Sequence, residues 1–109
     1  MGVTKSALFS DKKNRLSAMF KVLGHPARLA ILQYIINQKV CICNDLVEEL
    51  GLAQATISQH LKELKTIGLL QGTVEGKSVC YCIDEVVWQE FASEFQLFFA
   101  QNIEIDKCC

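Results

Sequence analysis

The stretch NDLVEELGLAQATISQHLKELKTIGLL, residues 44–70, decides how this chain folds. Asn44 or Asp45 can cap a short helix bearing Leu46, Val47 and Leu50, and Gly51 supplies a turn. A second helix is expected from about Gln54 to Thr66, in which Ile57, Leu61 and Leu64 recur at i, i+4 and i+7 and so share a stripe that faces a core. The pair is a helix-turn-helix pattern. Gln54, Ala55, Ser58, Gln59, Lys62 and Lys65 are left on the outer surface, and Thr56 and His60 of the same helix are counted with the DNA-contacting set. Gln pairs two-pronged with adenine, Ser reaches base edges or phosphates, and Lys meets guanine or the backbone, so this face has the vocabulary of a major-groove reader.

Working outward, the period shortens after Gly68. Leu69 to Val74 and Ser78 to Ile83 read as two strands joined at Glu75-Gly76-Lys77, where Gly76 can take a positive φ. A hairpin directly after a DNA-reading helix is a wing, and Lys77 at its tip is placed to touch a phosphate. Within the second strand Val79, Tyr81 and Ile83 form one face and Cys80 and Cys82 the other. From Asp84 the pattern is helical again, with Val87, Phe91, Phe95 and Phe98 at helical spacing beside Trp88, Leu97 and Phe99. A helix aromatic on more than one side needs a partner beyond its own small domain, and a second copy is the simplest.

Upstream, Ser10 can cap a helix with Leu16, Met19, Phe20 and Leu23 on one side and Gly24 at its end. A further helix starts at Pro26 and carries Leu29, Ile31, Leu32, Ile35 and Ile36 on a broad apolar surface. The expected architecture is mainly α with a small β-hairpin: a winged helix-turn-helix domain over residues 10–101, dimeric through its first and last helices. Residues 1–9 and 102–109 read as tails.

At 109 residues the chain holds one domain, which excludes a large multidomain enzyme. No apolar h-region opens it and no run approaches the roughly eighteen residues of a membrane span, so a cytoplasmic protein with no membrane partner is expected. A net charge of -1 argues against a polycation that coats nucleic acid. The average hides an asymmetry: residues 1–40 hold seven basic residues against one acid, and residues 41–109 hold four against eleven. Any contact to double-stranded nucleic acid must then come from local patches of specific geometry and not from bulk charge.

On LGHPARLAIL (23–32), QATISQHLKELKTIGLL (54–70) and the wing ending in VCYCI (79–83), the sequence resembles the ArsR/SmtB family of winged-helix repressors over about residues 12–101. The resemblance implies a homodimer that binds an operator-promoter and releases it on sensing a metal or metalloid ion or, in some branches, a thiol oxidant or sulfur donor. Ala53 departs from the Ser or Thr cap that many relatives use. Zinc-sensing relatives carry an Asp-x-His near the start of the last helix. Here Asp84-Glu85-Val86 lacks the His, and His25 and His60 are read as capping, packing or DNA-contacting groups.

What remains is sulfur. Six cysteines in a reducing compartment read as thiols, and they fall in three pairs: Cys41 and Cys43, Cys108 and Cys109, and, as weaker candidates, Cys80 and Cys82. Thiolates select soft ions, with As(III) or Sb(III) favoured as effector and Cd, Pb or Zn as alternatives; no cofactor is required. Trivalent arsenic prefers three sulfurs, so two segments or two subunits must converge. Cys41 and Cys43 lie where metalloid-sensing and cadmium-sensing relatives carry a Cys-x-Cys, although Asn44 shifts the register by one. On a helix i and i+2 diverge by about 200°, so this pair works only from an extended entry to the helix. Adjacent cysteines after the last helix also serve some arsenical-sensing relatives, which brings in Cys108 and Cys109. A thiol-redox or persulfide-sensing repressor of the same fold is the second reading. A thiol oxidoreductase is a distant third, since no redox fold, Ser-His-Asp constellation or phosphate loop is present.

Overall fold

A computed structural model describes residues 7–38, 46–75 and 78–105. Ser10 lies in extended backbone ahead of α1 (Asp11–Leu23), and its hydroxyl accepts the Lys13 N–H at 3.2 Å. Asp11 in the first turn and Lys21 in the last complement the helix dipole, and the Gly24 N–H closes the helix on the Lys21 carbonyl. Met19 and Val22 are buried, with Leu16 and Leu23 packed beside them. Phe20, expected on the core stripe, instead stacks on Phe95 of the last helix with ring centroids 4.4 Å apart.

The central helix α2 (Pro26–Gln38) begins at the expected proline and packs against α1, the helix-turn-helix and the wing. Ile31, Leu32 and Ile35 are buried, but Leu29 is 52% exposed and Ile36 is also largely open, so the core-facing stripe is narrower than the run of apolar residues suggests. The short α3 (Leu46–Leu50) and α4 (Gln54–Ile67) are joined through Gly51, whose φ of 67° is the left-handed region that glycine enters without strain. α4 ends in a Schellman motif. The Gly68 N–H returns to Lys65 O and the Leu69 N–H to Leu64 O, both at 3.0 Å, with Gly68 at φ 98°.

That closure holds Leu69 to the helix and moves the start of the wing by one residue. β1 (Leu70–Glu75) pairs antiparallel with β2 (Ser78–Ile83) in the register Leu70↔Ile83 to Glu75↔Ser78. Tyr81 and Ile83 pack against the core, as alternation predicts, but Cys80 is only 3% exposed, so the opposite face is covered as well. The last helix, α5 (Glu85–Phe99), is capped by Asp84, whose carboxylate accepts the Val86 and Val87 N–H groups at 3.0 and 3.2 Å. One cluster joins Met19, Ile31, Leu32, Leu46, Ile57, Leu61, Leu64, Leu69 and Phe91 across all five helices. Each such side chain contributes about 1.5–3 kcal/mol by leaving water.

Candidate nucleic-acid interface

α4 divides cleanly into two sides. Ile57, Leu61 and Leu64 are buried, whereas Gln54, Ala55, Thr56, Ser58, Gln59, Lys62 and Lys65 are exposed. Two glutamines are held along the helix surface: Gln54 Nε2 donates to Ser58 Oγ and Gln59 Nε2 to Glu63 Oε1, each at 3.1 Å. These bonds are solvent-exposed and worth on the order of 1 kcal/mol, so they pre-orient the amides while leaving them exchangeable for base edges. Lys65 leans on the wing, its Nζ lying where a side chain on Gly72 would have to go. Lys77, expected at the wing tip, lies outside the described residues.

His60 corrects the sequence reading. Counted with the DNA-contacting residues, it is 7% exposed and turned inward. Its Nδ1 accepts the Arg28 Nε–H at 3.1 Å, and its ring lies 4.4 Å from that of His25. Burial, reinforced by His25 and Arg28 and opposed by Glu63, lowers its pKa from the ordinary imidazole value. His25 is itself a cap, its Nδ1 accepting the Ala27 N–H at 3.1 Å in the first turn of α2. The spacing carried a signal for this, because position 60 is three residues after Ile57 and borders the apolar stripe.

A second guanidinium secures the far end of α4. Arg15 clasps Glu90 of α5 with both carboxylate oxygens, at 3.0 and 3.2 Å, and sends Nη1 to the Ile67 carbonyl at 3.4 Å. The ion pair is two-fifths exposed and contributes roughly 0–1 kcal/mol, so its value lies in orientation. At the base of the wing, Gln71 Nε2 donates to Asp84 Oδ2 at 2.9 Å. The backbone N–H of Val87, then Gln71 and the Val86 N–H, hold the Asp84 carboxyl below its ordinary pKa. This residue, which stands where zinc-sensing relatives begin an Asp-x-His, is engaged as a helix cap.

Cys80 and Cys82 are both disulfide-bonded, which revises the reading of these two as free thiols. Cys41, Cys43, Cys108 and Cys109 lie outside the described residues, and among the described residues no group of three or more His, Cys, Asp or Glu is placed to hold a metal ion. Between them, α1 and α5 expose an aromatic surface. Phe20 meets Phe98 and Phe99 edge-on at 5.8 and 5.9 Å, and Leu97, Phe99 and Trp88 extend it. No helix among the described residues is long and apolar enough to cross a membrane.

Residues 25–71 match the family model described as "Bacterial regulatory protein, arsR family". The chain is 35% identical to the uncharacterized HTH-type transcriptional regulator MJ1325 of Methanocaldococcus jannaschii, over 71% of this chain and 88% of that protein. It is 32% identical to an arsenical resistance operon repressor of Staphylococcus xylosus (83% and 78% covered) and 31% identical to the cadmium resistance regulatory protein CadC of Listeria innocua (75% and 69%). Among solved structures it is similar to the homodimeric winged helix-turn-helix DNA-binding domain of Mb0332 from Mycobacterium bovis, at 26% identity over 88% of this chain and 92% of that one, with a TM-score of 0.64. The buried stripe and polar outer face of α4, the wing that follows it and these likenesses lead to one conclusion: the chain belongs to the ArsR family of helix-turn-helix DNA-binding transcriptional regulators, a family of regulators and not of enzymes.

Proposed function

We propose that the protein is a homodimeric, cytoplasmic repressor that reads operator DNA with α4 and the wing and releases it when a thiophilic ion, arsenite or antimonite first, binds cysteine thiolates. The observation that carries the DNA-reading half is the outer face of α4, where Gln54, Ser58, Gln59 and Lys62 stand exposed on a helix whose opposite side is locked into the core. The exposed aromatic side of α1 and α5 supports pairing with a second copy, as does the likeness to a homodimeric domain. The effector half rests on the Cys41-x-Cys43 pair, the Cys108-Cys109 pair and the likeness to an arsenical resistance operon repressor. Cadmium, lead and zinc are the next ions by the same thiolate chemistry.

The mechanism is linkage. Two α4 helices must be spaced about 34–36 Å apart to enter successive major grooves. An ion bound better at another spacing weakens DNA binding by its differential affinity, and DNA weakens ion binding by the same factor. Cys41 and Cys43 immediately precede α3, the first helix of the motif, where a tether acts directly on the DNA-reading unit. In the test, arsenite is titrated into the reduced protein bound to operator DNA. The expected result is release for wild type and none for Cys41→Ser/Cys43→Ser; equal release in both overturns the site.

The disulfide bonding of Cys80 and Cys82 favours a second reading, a thiol-redox regulator. Reduction by a dithiol gives each S–S bond two electrons and two protons and leaves the reductant as a disulfide. Operator affinity that changes between dithiothreitol-treated and diamide-treated wild type, but not in Cys80→Ser/Cys82→Ser, supports it; affinity insensitive to both reagents excludes it.

A further inference from the structure

We propose that His60 is a positioning residue for DNA recognition: through Arg28 it fixes the seat of the reading helix against α1 and α2, while making no contact with DNA itself. This rests on α4 being the reading helix. The geometry converges on one guanidinium. Arg28 rises from the first turn of α2, donates from Nε to His60 Nδ1 at 3.1 Å, and donates from Nη1 to the Val22 carbonyl, in the last turn of α1, at 3.3 Å. Three helices therefore meet through two hydrogen bonds, and one of the three, α1, also carries the exposed aromatic surface.

A directional bond is what the apolar stripe cannot supply. Ile57, Leu61 and Leu64 hold α4 against the core, but apolar packing is non-directional and tolerates sliding and rotation better than a hydrogen bond of fixed geometry does. A shift of about 1 Å in α4 misaligns Gln and Ser donors that must meet base edges within hydrogen-bond distance. Because His60 lies between Gln59 and Lys62 in sequence but points the other way, it controls the helix's azimuth without occupying its outer face.

The bond also fixes the ring's chemistry. With Nδ1 accepting, the neutral imidazole carries its proton on Nε2. A proton added at Nδ1 destroys the acceptor and sets a cation against Arg28. The groups that act on His60 are His25 and Arg28 from the α2 side, which resist that proton, and Glu63 from its own helix, which favours it.

Asparagine can place its amide oxygen where Nδ1 stands, and glutamine places it where Nε2 stands, so the two variants separate the acceptor from mere bulk. The probe is the tightest duplex selected by the wild-type protein from a randomised DNA pool. Affinity is measured by fluorescence anisotropy at pH 7.5 and across pH 7.5 to 5.5, with melting temperatures in parallel. The expected result is that His60→Asn binds within about threefold of wild type, whereas His60→Gln and Arg28→Met bind at least tenfold more weakly. Wild type additionally loses affinity as the pH falls below the ordinary imidazole value, to an extent His60→Asn does not. Equal affinities for the Asn and Gln variants, or affinity losses that track the melting temperatures of all three, overturn the positioning role. Failure of the wild type to select any duplex overturns the DNA-reading assignment of α4, a separate result.

Discussion

α4 and α5 are helices of nearly equal length, each with an apolar side in the core, yet they present opposite outer faces. α4 shows water Gln, Ser, Thr and Lys; α5 shows it Val86, Leu97, Phe98 and Phe99. Their beginnings differ too. α4 starts at Ala53 with no side-chain cap, whereas α5 starts at Asp84 with two backbone N–H groups satisfied. The contrast teaches that burial assigns a helix to the fold, while the side left over sets what it can meet: it is polar and basic on α4, apolar and aromatic on α5.

Breaking the shared, buried side has the largest effect. Leu64 is fully buried in α4, and Leu64→Ala is expected to cost about 2–5 kcal/mol in urea unfolding, the range of a core cavity that the surroundings fill only in part. The outer side of α5 tests the proposed dimer: Phe99 is 71% exposed in the single chain, and Phe99→Asp is expected to sediment as a monomer where wild type sediments as a dimer, with the helical circular dichroism unchanged. Giving α4 the beginning that α5 has sharpens the comparison. Ala53→Ser is expected to add about 1 kcal/mol, a rise in melting temperature of about 5 °C.

The smallest effect is acid dependence. Asp84 has its pKa lowered in the folded chain by the Val87 N–H and Gln71, so its contribution is present above the unfolded carboxylate value and fades as pH falls through the folded one, below about pH 4. Asp84→Asn is expected to melt lower than wild type at neutral pH and to approach it in strong acid.

The helix-turn-helix and wing were legible because their signals are local: a 3.6-residue stripe, glycines at 51 and 68, then a two-residue alternation. What depended on distant partners was not. His60 bears a residue type suited to reading DNA and only borders the apolar stripe, and the hydrogen bond that engages it inside comes from Arg28, thirty-two positions earlier. Leu29 and Ile36 look like core by hydropathy but fall outside the arc that α2 buries, and Phe20 left the α1 core for the ring of Phe95. Local sequence also said nothing about sulfur pairing, so Cys80 and Cys82 read as thiols and are found in disulfides.

Arg15 and Arg28 bear on how such a protein searches a genome. Both belong to the basic N-terminal third, and both are committed to internal partners, Glu90 and the Ile67 carbonyl for one, His60 and the Val22 carbonyl for the other. Sequence-blind affinity for DNA comes from counterion release, about 0.9 of a logarithmic unit against salt for each phosphate neutralised. Two guanidiniums held by internal partners are two fewer cations free to meet phosphate, so on the proposed DNA-reading role they lower affinity for wrong sequence and its sensitivity to ionic strength.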